Sequence, residues 1–296
     1  MLGIVLINYK NEEEIVHYIE NELVKISEPH ITVIVDNSCN EQSIQKLESA
    51  LALNEISRGI NKDEKLFLID AKGNLGYAKG NNLGAQFLYD NFECKYILFS
   101  NSDIQIKSPN LLKYLIEKLE TESEIGAINP KITGMNGVAQ TPMKDMPLIN
   151  LHILRYIFYP VLRKITTIVP NADEGVYHRL MGCFLVVRSE AFFKAGMFDP
   201  NTFLFAEELI LAEKMRSVNF NSYYAPEFEI IHFHSQTIGS FHSFKKQLKM
   251  MMDSELYYYK TYRNAPTYLI YFSRLALNFF LLFYLPVIQF FKRKVK

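Results

Sequence analysis

The chain of 296 residues contains no tryptophan and only three cysteines, Cys39, Cys94 and Cys183. Three thiols this far apart cannot form a disulfide framework or a cysteine-rich zinc site, and they suit a reducing cytoplasm as small buried side chains. Thirteen glycines and eleven prolines exclude collagen-like and low-complexity chains. The N-terminus, MLGIVLINYK, has no basic region ahead of a long apolar run, so it reads as a first strand and not as a secretory signal. There is no net charge either, since 32 basic side chains balance 32 acidic ones, which gives no case for nucleic acid as a partner.

That balance hides a segregation. Residues 1–240 carry 22 basic and 30 acidic side chains, whereas residues 241–296 carry 10 and 2, along with 15 of the 40 Phe and Tyr. Within the acidic part, short apolar runs alternate with helical patterns. Strands are expected at Leu2–Ile7, Ile31–Val35, Leu66–Ile69 and Tyr96–Phe99. Helices are expected at Glu12–Val24, Glu41–Leu53, up to about Tyr89, and after Tyr96–Phe99 from an N-cap at Ser108 with Pro109 at N1. Continuous apolar strands separated by helices predict an α/β fold whose central sheet is mostly parallel and flanked by helices.

Ligands of such sheets bind at the carboxyl ends of the strands. Each strand here is followed by polar residues: Asn8-Tyr9-Lys10, Asp36-Asn37-Ser38, Gly73-Asn74-Leu75-Gly76-Tyr77, and Ser100-Asn101-Ser102-Asp103. Any one of these would pass as an ordinary turn, but four at one sheet edge point to a site. The glycine-rich stretch is not G-x-G-x-x-G and follows the third strand, which argues against a dinucleotide site, and no P-loop signature exists. Its glycines still allow backbone N–H groups to approach a ligand, with Asn74, Asn81 and Asn82 as hydrogen-bonding side chains.

In order along residues 2–240, IVLINYK, VDNS, GNLGYAKGNN, SNSD, MGCFLVVRSEAFFKAGMFD, FAEELILAEKMR and IIHFH resemble the family 2 glycosyltransferases, inverting enzymes of the GT-A nucleotide-diphospho-sugar transferase fold. The resemblance is to the rhamnosyltransferase-like members that build bacterial surface polysaccharides. It implies a nucleotide-sugar half over 1–130 and an acceptor half over 131–240. It also implies that Asn8, Tyr9, Asp36, Asn74, Gly76, Asn82, Asn101 and Asp103 face the donor, with Asp36 accepting the N3–H of a pyrimidine in a UDP- or dTDP-sugar. The family's D-x-D element is reduced here to Asn101-Ser102-Asp103, leaving Asp103 to hold Mg²⁺ or Mn²⁺ with His232, while His234 and Ser235 lie near phosphate. A cation of this kind keeps water and substrate oxygens as ligands, so one protein carboxylate suffices. Glu208 aligns with the family's general base and Glu207 stands beside it, with Glu where Asp is common and Ile210 where a second Asp often follows.

Residues 241–296 form a basic, aromatic segment in which YLIYFSRLALNFFLLFYLPVIQFF precedes KRKVK. Arg274, Asn278, Pro286 and Gln289 interrupt its apolar run, so amphipathic helices lying on an anionic membrane surface fit better than a spanning helix; packing on the protein's own core or on a second copy is the alternative. A weaker segment of the same kind, 147–169, reads as a lobe near the acceptor or a homodimer contact. The sequence therefore predicts a metal-dependent transferase of one sugar, with rhamnose as a candidate. It would act on a polyprenyl-diphosphate-linked or growing surface glycan, peripheral to the cytoplasmic face of the bacterial membrane. A non-catalytic nucleotide-sugar or membrane-binding module derived from the fold is the alternative. A processive synthase would need a Q-x-x-R-W element, which a chain without Trp cannot carry. A sugar-phosphate nucleotidyltransferase would need a Gly-rich, Arg-containing loop where Asn8-Tyr9-Lys10-Asn11 stands.

Overall fold

The structure, a computed structural model, describes residues 1–52, 65–143, 149–158, 168–233 and 244–287. In chain order the N-terminal half comprises β1 (Leu2–Asn8), α1 (Glu12–Asn21), β2 (His30–Asp36), α2 (Glu41–Leu51), β3 (Leu66–Asp70), α3 (Gly76–Phe92), β4 (Tyr96–Ser100), β5 (Ile104–Ile106) and α4 (Leu111–Thr121). The rest comprises β6 (Ile125–Thr133), α5 (Ile149–Ile157), β7 (Gly175–Val176), β8 (Phe184–Arg188), α6 (Ser189–Lys194), α7 (Glu207–Ser217), β9 (Asn221–His232), α8 (Phe244–Tyr262) and α9 (Thr267–Phe279). The strands form one sheet in the order β3-β2-β1-β4-β8-β6-β9-β5, with β7 on β9. The four expected strands are parallel neighbours at one end of it. Beyond β4 the pairing is mixed, because β8 runs antiparallel to both β4 and β6.

Side chains on successive residues of a strand face opposite sides, and β1 divides two cores accordingly. Leu2, Ile4 and Leu6 pack with α1, α2 and α4, whereas Val5 packs with α3, α6 and α7. Small residues let α3 lie close to the sheet: a Cβ on Gly84 would overlap Val5, and one on Gly3 would overlap Leu88 of the helix. The helix after β4 begins two residues later than expected. Ser108 Oγ accepts the Asn110 N–H at 3.3 Å and closes a turn over Ser108-Pro109-Asn110, so the helix starts at Leu111. Likewise α1 ends at Asn21 and a single 3₁₀ turn, Leu23–Lys25, follows. The C-terminal end of the second expected helix, Leu53, lies outside the described residues.

A third core joins α5, α8 and α9 to Leu209 and Ile210 of α7. The helix continues from α9 through a π-helical turn, Phe280–Tyr284, and Arg274 and Pro286 do not break it. The 21 residues Thr267–Val287 are long and apolar enough to cross a membrane by length and composition. One face, with Ala276, Leu277, Phe280 and Leu281, is buried in the third core, while Tyr268, Tyr271, Phe272, Leu282 and Phe283 are each more than half exposed. The KRKVK terminus, His234, Ser235 and residues 147–148 and 159–167 of the 147–169 segment lie outside the described residues.

Candidate active site

Parallel pairing sets Asn8 directly beside Asp36 at the ends of β1 and β2. The Asn8 amide donates to Asp36 Oδ1 at 2.6 Å and lies 3.0 Å from the Ser43 hydroxyl. Asp36 Oδ1 also receives the Ser38 N–H at 3.3 Å and lies 3.0 Å from Ser43 Oγ. Its other oxygen, Oδ2, is buried without a hydrogen-bond partner. A buried carboxylate oxygen left open costs about 1–3 kcal/mol, and a ligand N–H would recover that cost. Asn8 thus serves to hold Asp36, its own Oδ1 receiving the Asn11 N–H at 3.1 Å.

The glycine-rich stretch opens α3. Exposed Asn74 closes the turn by accepting the Gly76 N–H at 3.0 Å. Gly76 has φ +74°, and a Cβ there would overlap the Phe203 carbonyl, so both conformation and space call for glycine. Asn82 is engaged within the protein: both ends of its amide bond the backbone of Phe198, at 2.8 and 3.0 Å, and fix the Gly196-Met197-Phe198-Asp199 turn. Tyr9 lies half-buried, with the Lys10 ammonium 5.4 Å from its ring centroid. Asn101 is half-buried too, and its N–H donates to the Cys183 carbonyl at 2.8 Å, joining the end of β4 to the start of β8.

Asp103 and His232 meet because β5 pairs with β9, which sets Ile104 opposite His232. His232 Nε2 lies 3.3 Å from Asp103 Oδ1, and both side chains are buried. On the far side of the ring, Nδ1 lies 2.7 Å from the side-chain oxygen of buried Gln140. An amide oxygen only accepts, so Nδ1 donates to Gln140 and Nε2 is the ring nitrogen turned toward the carboxylate. A carboxylate and a ring nitrogen so close fit a cation shared between them, with Gln140 as the outer partner that orients the ring. Among the described residues no group of three or more His, Cys, Asp or Glu side chains could hold a metal, so the pair would need ligands from substrate and water.

Glu207 and Glu208 begin α7, after a turn in which Phe205 (φ +73°) and Ala206 (φ +65°) both adopt left-handed backbone. Such consecutive conformations are costly for non-glycine residues and persist where the surroundings enforce them. Only 3 % of Glu207 is exposed, and its Oε1 has no hydrogen-bond partner. Burial, reinforced by the neighbouring Glu208 charge, raises its carboxyl well above the usual range. Glu208 is partly exposed and accepts the Gly182 N–H on Oε1 at 3.0 Å. Burial lowers the Arg179 guanidinium below its ordinary value, while the charges of Glu208 and Glu255 act in the opposite direction. Desolvation, then the charges of Asp103 and Glu208, raise the buried Cys183 thiol; its backbone carbonyl accepts the Asn101 N–H at 2.8 Å while the neighbouring Gly182 N–H donates to Glu208 Oε1 at 3.0 Å, which joins the two halves of the site.

Three contributors were absent from the sequence reading. Asn129, fully buried, holds the chain before β8 by bonding Met181 N–H at 2.7 Å and the Phe184 carbonyl at 2.6 Å. Tyr77 donates to the Gly182 carbonyl at 2.8 Å, and Gln140 orients His232. Tyr77 and Gly182 do fall within the quoted motifs GNLGYAKGNN and MGCF, whereas nothing local marks Asn129 or Gln140.

No protein-family model matches the sequence. Among curated proteins, the chain is 25 % identical over 224 residues to the low-salt glycan biosynthesis hexosyltransferase Agl10 of Haloferax volcanii, covering 74 % of this chain and 63 % of that protein. It is 23 % identical over 250 residues to the rhamnosyltransferase WbbL of Escherichia coli K12, covering 82 % and 87 %. Over 152 residues it is 24 % identical to an N-acetylglucosaminyl-diphospho-decaprenol L-rhamnosyltransferase of Mycobacterium tuberculosis, about half of each chain. Among solved structures, the mannosyltransferase PcManGT of Pyrobaculum calidifontis, in complex with GDP-Man and Mn²⁺, superposes with a TM-score of 0.56 over 95 % of this chain and 70 % of that one at 12 % identity. GalNAc-T7 with UDP, GalNAc and Mn²⁺ superposes with a TM-score of 0.55 over 95 % and 56 % at 14 % identity. The fold is that of the GT-A glycosyltransferases, and the curated proteins to which the chain is similar, at 23–25 % identity, are hexosyl- and rhamnosyltransferases.

Proposed function

We propose that the chain is an inverting, divalent-cation-dependent glycosyltransferase that moves one sugar from a UDP- or dTDP-sugar to a lipid-linked or growing surface glycan. The observation that carries this reading is that Gly182-Cys183 link the two groups at one sheet edge, the Gly182 N–H donating to Glu208 Oε1 at 3.0 Å and the Cys183 carbonyl accepting the N–H of Asn101, two residues before Asp103, at 2.8 Å. Asp36 Oδ2 accepts the pyrimidine N3–H. Asp103 and His232 are the residues that would hold Mg²⁺ or Mn²⁺, whose positive charge offsets that of the departing nucleoside diphosphate. Glu208 takes the proton of the acceptor hydroxyl as that oxygen attacks the anomeric carbon, and the bond to the diphosphate oxygen breaks on the opposite face.

Rhamnose is the transferred sugar in the names of two relatives, and a decaprenyl-diphosphate-linked acceptor appears in one. Both fit a chain whose exposed α9 face offers aromatic and aliphatic side chains to a membrane surface, ahead of the KRKVK end. Incubation with UDP-glucose, UDP-galactose, UDP-GlcNAc and dTDP-rhamnose, with Mg²⁺ or Mn²⁺ and a polyprenyl-diphosphate-GlcNAc acceptor, should give transfer from one donor. Glu208→Gln should then lower kcat by about 10²–10⁴-fold, the usual contribution of a general base. Near-normal turnover by that variant would remove Glu208 from the mechanism.

A further inference from the structure

Asn37 Nδ2 donates to the Gly76 carbonyl at 3.0 Å, and the next residue, Tyr77, donates its own N–H to the Phe203 carbonyl at 3.0 Å. Phe203 lies in the turn that delivers Glu207 and Glu208. The Tyr77 side chain reaches the other support of that turn: its hydroxyl donates to the Gly182 carbonyl at 2.8 Å, and the Gly182 N–H donates to Glu208 Oε1 at 3.0 Å. Residue 182 is therefore fixed on its carbonyl side by the phenol and on its amide side by the carboxylate. There is no slack in this arrangement, since a Cβ on Gly182 would overlap Glu208 Oε1 and come within 2.9 Å of the Tyr77 hydroxyl. The ring is wedged edge-on against Phe198 at 5.6 Å between centroids, in the turn that Asn82 clamps. Burial and the nearby Glu208 and Glu207 charges push the phenol well above its usual range, so it remains a donor throughout the working pH range.

We infer that Tyr77 is a positioning residue for the transfer step: by anchoring Gly182 it sets the direction of the Glu208 carboxylate, and through the Gly76 carbonyl held by Asn37 its backbone is tied to the loop that follows Asp36. The inference rests on the proposed role of Glu208. A carboxylate with one oxygen pinned to a backbone N–H presents the other in a fixed direction, and proton abstraction is sensitive to displacements of well under an ångström. Tyr77 touches no reacting atom in this scheme, so its loss should spare donor binding and slow turnover.

Tyr77→Phe retains the ring packing and removes one hydroxyl. With the fastest donor of the panel above, kcat should fall about tenfold or more while donor KM stays within about twofold. Gly182→Ala, which displaces the carboxylate directly, should give the same split. In a Glu208→Gln background, Tyr77→Phe should cause no further loss of the residual rate, because it acts through a carboxylate no longer present. Wild-type kcat in Tyr77→Phe, or an undiminished effect in the Glu208→Gln background, would overturn the inference while leaving the base assignment standing. Normal turnover by Glu208→Gln alone would instead overturn the base. Thermal unfolding and UDP titration of each variant report folding; should Tyr77→Phe not fold, an unchanged kcat in Gly182→Ala would equally overturn the inference.

Discussion

Replacing Asp36 by Asn changes one atom at a position where the structure distinguishes the two carboxylate oxygens. Oδ1 faces the Asn8 amide at 2.6 Å and the Ser38 N–H at 3.3 Å, whereas Oδ2 is buried and open. An Asn side chain would therefore keep its oxygen toward these donors, since the opposite orientation would set N–H against N–H, and would turn its NH₂ group toward the ligand. The pocket then offers a donor where it had offered a charged acceptor. Uracil and thymine present N3–H at this edge and would lose a charge-assisted hydrogen bond worth about 1.5–3 kcal/mol. UDP affinity should fall about 10- to 150-fold at 1.4 kcal/mol per decade. Cytosine presents an unprotonated N3, which accepts from the new NH₂, so CDP should bind more tightly to the variant than to the parent. Isothermal titration of both proteins with UDP and CDP in the presence of Mn²⁺ measures all four constants. Thermal stability should change little, because the Oδ1 bonds persist. An unchanged UDP affinity, or equal losses for UDP and CDP, would refute the assignment of Oδ2 to the base edge.

Asp103→Asn should abolish the rise in melting temperature that Mn²⁺ adds to UDP-bound protein, while leaving that from UDP alone; a retained increment would separate Asp103 from the metal. Asp199 receives the Tyr257 hydroxyl at 2.8 Å, the Tyr262 hydroxyl at 2.5 Å and the Asn201 backbone N–H at 2.8 Å. Burial alone would raise its carboxyl; the bonds, led by that from Tyr262, hold it below its usual value of 3.8. A carboxyl lowered on folding stabilises fully above its unfolded value and loses that contribution as pH falls through the folded one. Asp199→Ala should therefore lower the melting temperature at pH 7 by about 5–10 °C, for roughly 2–4 kcal/mol in a chain of this size, and the deficit should shrink below about pH 4. Changing exposed Phe272, Leu282 and Phe283 to Ser should weaken co-sedimentation with phosphatidylglycerol vesicles without lowering transfer to a soluble acceptor; unchanged sedimentation would count against a lipid-facing α9.

The sheet was legible because its strands are continuous apolar runs between helical patterns, a signal that depends on local sequence alone. The reversal of β8 was not, since the apolar run 184–187 reads the same in either direction and only the neighbours decide. Among the candidate site residues, Asp36, Asp103 and His232 stand out in the sequence because strand ends and ordered motifs mark them. Asn8 and Asn82 carried equally conspicuous signals, yet their amides are used within the protein, one on Asp36 and the other on the Phe198 backbone. An Asn that binds a ligand and one that binds a neighbouring loop look alike in sequence, because the difference lies in a partner 28 or 116 residues away. Asn129 and Gln140 escaped for the complementary reason: they are lone amides whose importance comes entirely from the backbone or ring they face.

The segregated charge gains a structural sense from the way α8 meets α7. Tyr258 donates to Glu213 Oε1 at 2.6 Å and Arg263 pairs with the same oxygen at 2.7 Å, so the helix that begins with Glu207 and Glu208 is gripped two turns further on. At its start, Ser254 Oγ donates to the Leu204 carbonyl at 2.7 Å, within the turn that forces Phe205 and Ala206 into left-handed backbone. Leu209 and Ile210, fully buried, face α8 and α9 in the third core. The C-terminal helices cover the apolar side of α7 and brace the strained turn before it. A force applied to the exposed face of α9 would pass through one packed cluster to the helix that begins with Glu207 and Glu208. A tail attached by a flexible linker would leave surface contact and the site independent, whereas this packing would make the orientation of α9 on a surface also the orientation of Glu208.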